Sequence, residues 1–181
     1  ITERLKENFE LPIFVKPSRA GSSNGITKVK SWSELSSAIS LAKDFDEKIL
    51  IEAFAPGREL ECGILGSKAS RVGEIRVLGN HEFYDFEAKY LDGSTELIVP
   101  AQIPEELEHE IQRLALDAFA LIDGDDIARV DFFLKENGEI ILNELNTMPG
   151  FTATSMYPRL WQASGVSYTE LITALLQSQD S

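Results

Sequence analysis

Apolar positions recur along this chain with two periods, and the switches between them mark out its elements. Alternation at every second residue, or a short apolar run, predicts strands over 12–17, 48–53, 59–65, 72–77, 127–134 and 140–145. Three stretches take the helical period instead. Ser31 and Glu34 have the spacing of a capping box and precede Leu35, Ala38, Ile39 and Ala42 on one face. A longer helix is predicted from Pro104, with Glu105, Glu106 and Glu108 near its positive end. Its stripe is Leu107, Ile111, Leu114, Ala115, Ala118, Phe119 and Ile122. A last helix starts at Ser167, boxed by Glu170, and should bury Leu171, Ile172, Leu175 and Leu176. The first residues read as a charged helical start rather than a secretory leader. Strand–helix–strand followed by an antiparallel sheet with helices predicts an α+β fold. Ala55-Pro-Gly-Arg58 is the best hinge candidate, dividing 1–55 from 56–181.

The last two strands carry the sharpest chemistry. Asn137-Gly138 between apolar runs signals a hairpin with these as its two central turn residues. Counting back from that turn sets Asp131 opposite Glu144 and Arg129 opposite Asn146, all on one face. Two carboxylates opposed across a ladder repel unless something positive lies between them. The face is either a solvated surface where charges alternate with core residues, or an all-oxygen site for a hard cation such as Mg²⁺. After the second strand, Asn146 to Thr152 turn sharply through Pro149-Gly150. Such a turn exposes N–H groups, that of Gly150 especially, suited to an oxyanion or phosphate oxygen.

Composition narrows the classes. With 181 residues, 43% of them hydrophobic and 26% charged, the chain suits one core, or a full domain with a smaller lobe. A net charge of −13 argues against nucleic acid or an anionic membrane as partner, while leaving room for a nucleotide held by local cations. No run of some 18 apolar residues exists to span a bilayer. The lone cysteine, Cys62, alternates with Leu60 and Ile64 and reads as a small core residue in a reducing, cytoplasmic compartment. His109 and His81 fall on polar stretches and receive no role.

Two further stretches stand apart. Lys16 ends a strand and enters a loop with Gly21, Ser22, Ser23 and Gly25, either a plain surface loop or a phosphate cradle. It lacks the Walker order, since Lys16 precedes the glycines. Residues 83–95 mix aromatics and charges without a period, as in a functional loop or an irregular packed connection.

Taken in order, these stretches resemble the D-alanine–D-alanine ligases, ATP-grasp enzymes of peptidoglycan precursor synthesis. The likeness is carried by Val15-Lys-Pro-Ser18 with Gly21-Ser-Ser-Asn-Gly25, Ile51-Glu-Ala-Phe54 with Gly57-Arg-Glu59, Tyr84-Asp-Phe-Glu-Ala-Lys-Tyr90, Arg129-Val-Asp131 and Asn143 to Thr152. It implies a C-terminal fragment without the N-terminal domain: a partial central ATP-binding lobe over 1–55, then the C-terminal domain over 56–181. It further implies that ATP phosphorylates the carboxylate of one D-alanine and that the amine of a second attacks the acyl phosphate.

The resemblance also assigns roles. Asp131, Glu144 and Asn146 would hold Mg²⁺. Lys16 and Lys89 would meet phosphates, and Glu52 with the backbone near Ala53 and Ala55 would meet adenine. Glu59 would take the ribose, and Phe83 would pack on the nucleotide. Arg129 and the Gly150 N–H would form the oxyanion site, while Ser155 and Met156 receive the second substrate's carboxylate. Ser22 and Tyr90 would close loops over the substrates, joined by a glutamate of the absent domain. The fragment alone is therefore expected to be inactive, and its full-length parent to be a homodimer. The alternatives are another ATP-grasp ligase, such as a D-alanine–D-lactate ligase, for which a histidine in place of Tyr90 would speak, and a non-catalytic module whose acidic hairpin is only an ion staple.

Overall fold

Alternation along Ile13 to Pro17 and helical periodicity along Leu35 to Lys43 build the first of two compact units. The computed structural model describes residues 2–21, 23–78 and 95–178. One unit is drawn from Ile1–Ala55 and Val77–Thr95, the other from Pro56–Arg76 and Glu96–Ser181. The division is thus not a single cut after Ala55, because Val77 and Leu78 cluster with the first unit.

In the first unit, β1 (Ile13–Pro17) is central, flanked antiparallel by β2 (Thr27–Val29) and β3 (Ile49–Ala53). A short helix α1 (Thr2–Lys6) precedes them. Helix α2 (Leu35–Lys43) covers one face and buries Leu35, Ala38 and Ala42 against Ile13, Val15 and Val29. Its entry is the capping box read from the sequence: Glu34 accepts from the Ser31 N–H at 3.2 Å, and Ser31 Oγ accepts from the Ser33 N–H at 3.4 Å. The positions between, Phe14, Lys16 and Glu52, share the opposite face, where Phe14 pairs with both Lys28 and Glu52.

The second unit is a five-stranded sheet in the order β6-β5-β4-β7-β8. The strands are β4 (Arg58–Leu65), β5 (Lys68–Val77), β6 (Thr95–Ile98), β7 (Ile127–Leu134) and β8 (Ile140–Asn146). Helix α3 (Glu105–Leu121) lays Ile111, Ala115 and Phe119 on one face, against Leu60, Cys62, Ile64, Val130 and Phe132. Cys62 is fully buried there, and burial pushes its thiol up to about 12. Glu108, expected to serve only the helix dipole, is buried and accepts from the Val72 N–H at 2.9 Å and from Arg71 Nε at 2.7 Å, clamping α3 to β5. Ile122 lies past the end of α3 and is half exposed.

Helix α4 (Met156–Ala163), which the sequence reading missed, packs with α5 (Tyr168–Ser178) on the other face. Tyr157, Trp161 and Leu171 form a small core with Leu65 and Ile127. A Cβ at Gly73 would lie 2.8 Å from Leu160 and 2.9 Å from the Met156 sulfur, so glycine there is what lets α4 approach. In α5, Leu171 alone is fully buried, while Ile172 and Leu176 face outward. The predicted four-residue stripe was too wide because α5 meets its neighbours along one edge. Among the described residues, no helix is long and apolar enough to cross a membrane.

Candidate active site

The β7–β8 hairpin does not turn as Asn137-Gly138 suggested. Leu134 pairs with Ile140, and the Lys135 N–H donates to the Glu139 carbonyl at 3.0 Å. The loop is therefore three residues, Glu136 to Gly138, closed by Gly138 at φ +86. That offsets the ladder by one residue. A bulge at Asn143, between the Asp131–Glu144 and Phe132–Leu142 pairs, shifts it back. The two offsets cancel, so Asp131 faces Glu144 and Arg129 faces Asn146, the register that a two-residue turn would also have given.

Strand β4 adds a carboxylate that the sequence reading left out. Glu61 pairs directly with Asp131 across the β4–β7 ladder. Glu61, Asp131 and Glu144 thus form a row over three adjacent strands, with Arg129 beside it. Asp131 is 2% exposed and Glu61 1%, whereas Glu144 faces outward. Arg129 donates through Nε and Nη2 to the two oxygens of Asp131, each at 2.7 Å, and its Nε lies 3.2 Å from Glu61. Burial works against the arginine's charge, but Asp131, with further pull from Glu61 and Glu144, raises its pKa. The guanidinium is a fixed cation. Alternation of Glu59 and Glu61 opposite the core residues Leu60 and Cys62 was a usable signal, but only the β4–β7 pairing, invisible to local pattern, gives Glu61 its neighbours.

The donor chemistry fits a hard cation: Asp131 and Glu144 are paired across the ladder, and Asn146 lies two residues on along the same face. Among the described residues, no three Asp, Glu, His or Cys side chains converge as a ready-made metal cluster. Both Asp131 oxygens are turned to Arg129.

Beyond β8, the Asn146 side chain accepts from the Met148 N–H at 3.1 Å and starts the turn. Pro149 is buried, and Gly150 is exposed, close to Ser155. Ser155 Oγ accepts from the Thr152 N–H at 3.1 Å and contacts Thr152 Oγ1 at 2.8 Å, which shapes the loop into α4. Ser155 is the N-cap of α4, and Pro158, lacking an N–H, sits in its first turn. Met156 is buried against Gly73. Tyr168 braces this loop by donating to the Phe151 carbonyl at 2.8 Å.

In the first unit, Lys16 and Glu52 form an ion pair at 2.8 Å. The Phe14 and Phe54 rings lie tilted at 37° with centroids 6.1 Å apart, and Lys28 Nζ lies 4.4 Å over the Phe54 ring. Phe14 and Lys28 were not anticipated, although Phe14 and Lys16 alternate on β1. Ala53 ends β3, with Ala55 just beyond it. The loop after Lys16 is pinned at its base by the Arg19–Asp46 fork. Glu59 lies on the second unit's sheet, on the face of Glu61 and opposite Phe133. Ser22, Phe83, Lys89 and Tyr90 lie outside the described residues.

Comparison with known proteins bears on what this arrangement is for. The family described as D-ala D-ala ligase C-terminus matches residues 1–177. A D-alanine–D-alanine ligase of Mycolicibacterium gilvum is 52% identical over 182 residues, covering 96% of this chain and 49% of the relative. Among solved structures, the VanG D-Ala:D-Ser ligase from Enterococcus faecalis aligns with a TM-score of 0.87 and 37% identity, covering 97% of this chain and 52% of that one. The D-alanine–D-alanine ligase from Coxiella burnetii aligns with a TM-score of 0.80 and 32% identity, covering 98% and 48%. The chain spans about half the length of the curated relatives it matches.

Proposed function

Because this chain belongs to the D-ala D-ala ligase C-terminal family, we propose that it supplies nucleotide-, metal- and acyl-binding residues of an ATP-dependent ligase that joins two D-alanine molecules for peptidoglycan synthesis. The observation that carries the reading is the buried Arg129–Asp131 fork, set beside Glu144 and Asn146 on one polar sheet face, with the Gly150 turn following β8.

In this reading the carboxylate of one D-alanine attacks the γ-phosphate of ATP and releases ADP. The amine of the second D-alanine, having lost a proton, then attacks the acyl phosphate carbon. A tetrahedral intermediate forms and expels inorganic phosphate, leaving the amide. Arg129 and the Gly150 N–H stabilise the oxyanion; the charge of Arg129 is fixed by its partners, so it needs little reorganisation as the oxyanion forms. Asp131, Glu144 and Asn146 would hold Mg²⁺, which when bound would offset phosphate charge. The Ser155 hydroxyl and the first N–H groups of α4 take the second substrate's carboxylate. Lys16 binds phosphate, Glu52 with the backbone at Ala53 and Ala55 binds adenine, and Glu59 binds ribose. Phe83, Lys89, Ser22 and Tyr90 keep the roles their resemblance gives them.

The test is phosphate release by the complete gene product with ATP, Mg²⁺ and D-alanine. Release that requires all three is expected, and release indifferent to D-alanine would overturn the reading. The chain of 181 residues alone should not turn over, since contacts that position both substrates lie outside it. Similarity to a ligase named for a D-Ala:D-Ser product gives a second reading of the acceptor. Mass spectrometry of products formed with D-alanine, D-serine and D-lactate together separates them, and D-alanyl-D-alanine is expected to dominate.

A further inference from the structure

Asp131 is asked to do two things in the reading above, and the two conflict. Both of its oxygens are held by Arg129 at 2.7 Å, which fixes the carboxylate and neutralises part of its charge. An ion drawing on Asp131 would have to share those oxygens with the fork. If the fork loosened, Arg129 would lose the contacts that aim it.

Glu61 answers this conflict. It lies directly across the ladder from Asp131, is 1% exposed, and brings Oε1 to 3.2 Å from Arg129 Nε. The same Nε is 2.7 Å from Asp131, so one N–H sits within reach of two carboxylates. A carboxylate buried this fully is costly to keep charged, and β4 draws its core contacts from Leu60, Cys62 and Ile64 on the other face. Packing alone therefore gives no reason for an acid at 61. The flanking positions on that face, Gly63 on β4 and Gly73 opposite on β5, carry no side chain and are filled by α4. Arg129 is thus a charged group that Glu61 faces.

We propose that Glu61 is a positioning residue, a second seat for the Arg129 guanidinium that lets Asp131 turn to a divalent cation while the arginine stays in place. This rests on the reading that Asp131, Glu144 and Asn146 hold Mg²⁺. Arg129 passes from a fork on Asp131 to a hold shared with Glu61, a small displacement given the two distances.

The experiment titrates Mg²⁺ against ATP binding by calorimetry, without D-alanine, in the complete gene product and in Glu61→Gln. The variant should raise the Mg²⁺ concentration for half-maximal nucleotide binding by roughly tenfold to a hundredfold, the usual effect of losing a group that orients a ligand. Glu61→Asp, which keeps the charge, should restore most of the wild-type midpoint. A folded Glu61→Gln with a midpoint within about twofold of wild type would overturn the proposal while leaving the ion site standing. Wild type that bound ATP with no Mg²⁺ dependence would instead remove the ion-site reading and this inference with it. A variant-free measurement guards against misfolding: the Arg129 Hε resonance should shift, yet stay protected from exchange, when Mg²⁺ and a non-hydrolysable ATP analogue are added. Exchange as fast as that of a solvent-exposed arginine would overturn the proposal.

Discussion

The two faces of the five-stranded sheet are made by the same strands and obey opposite rules. On one, Leu60, Cys62, Ile64, Val130 and Phe132 meet α3, and each side chain is replaceable by another of like volume at modest cost. On the other, one residue along, Glu61, Arg129, Asp131, Glu144 and Asn146 share a polar face on which the two buried carboxylates, Glu61 and Asp131, are balanced by Arg129. The first face holds the fold together by area, the second by balance. Strand alternation turns one sequence into both, and a slip of a single residue would exchange them.

The most damaging way to test this difference is to remove the balancing cation. Arg129→Leu leaves Asp131 and Glu61 buried without their counter-charge and should cost about 3–5 kcal/mol. Adding Asp131→Asn to it should recover part of that loss, because one uncompensated charge disappears. Urea titration of both variants reads the effect. On the opposite face, Phe132→Ala should cost a similar amount, about 3–5 kcal/mol, by opening a cavity under α3. No change of charge elsewhere should rescue it. Rescue in one case and none in the other is the expected contrast; equal rescue would erase it.

A smaller effect should follow from crowding the seam where α4 rests on the polar face. Gly73→Val places atoms where Leu160 and Met156 now lie and should cost about 1–3 kcal/mol. In the complete gene product it should also raise the KM for the second substrate, since Ser155 and the first turn of α4 would shift. Steady-state kinetics checks this.

The smallest effect sharpens the role of burial. Arg19 and Asp46 form the same kind of fork as Arg129 and Asp131, but Arg19 is 78% exposed. Its hydrogen bond, helped by the Lys48 N–H, holds the Asp46 carboxyl well below the usual carboxylate range. A lowered folded pKa adds stability above the unfolded value of about 4, and that stability is lost as pH falls through the folded pKa. Asp46→Asn should thus differ slightly from wild type at neutral pH and converge with it in acid. Thermal unfolding across that range measures it, and a difference that persisted in strong acid would contradict the linkage.

Much of this was legible beforehand, for physical reasons that can be named. The long period of α3 and the capping boxes at Ser31 and Ser167 are local, and the structure carries them as read. The Asp131–Glu144 register was read correctly from a turn that does not exist, because the bulge at Asn143 cancels the three-residue loop. Bulges leave little trace in sequence. Helix α4 was hidden by its Pro158 and by its short length of 8 residues. Glu61 was hidden because its meaning depends on which strand lies beside β4, a long-range fact that no local pattern encodes. Phe14 and Lys28 were hidden for the same reason.

The claim that the polar face is built to hold a divalent ion against nucleotide phosphates is tested most directly at Glu144. It is the outward carboxylate of the row, so Glu144→Gln should leave the thermal midpoint nearly unchanged while relieving repulsion with Asp131. Calorimetry of Mg²⁺-dependent ATP binding to the complete gene product, wild type against Glu144→Gln, is the measurement. Binding is expected in the wild type and loss of it in the folded variant. Unchanged Mg²⁺-ATP affinity in the variant would contradict the assignment.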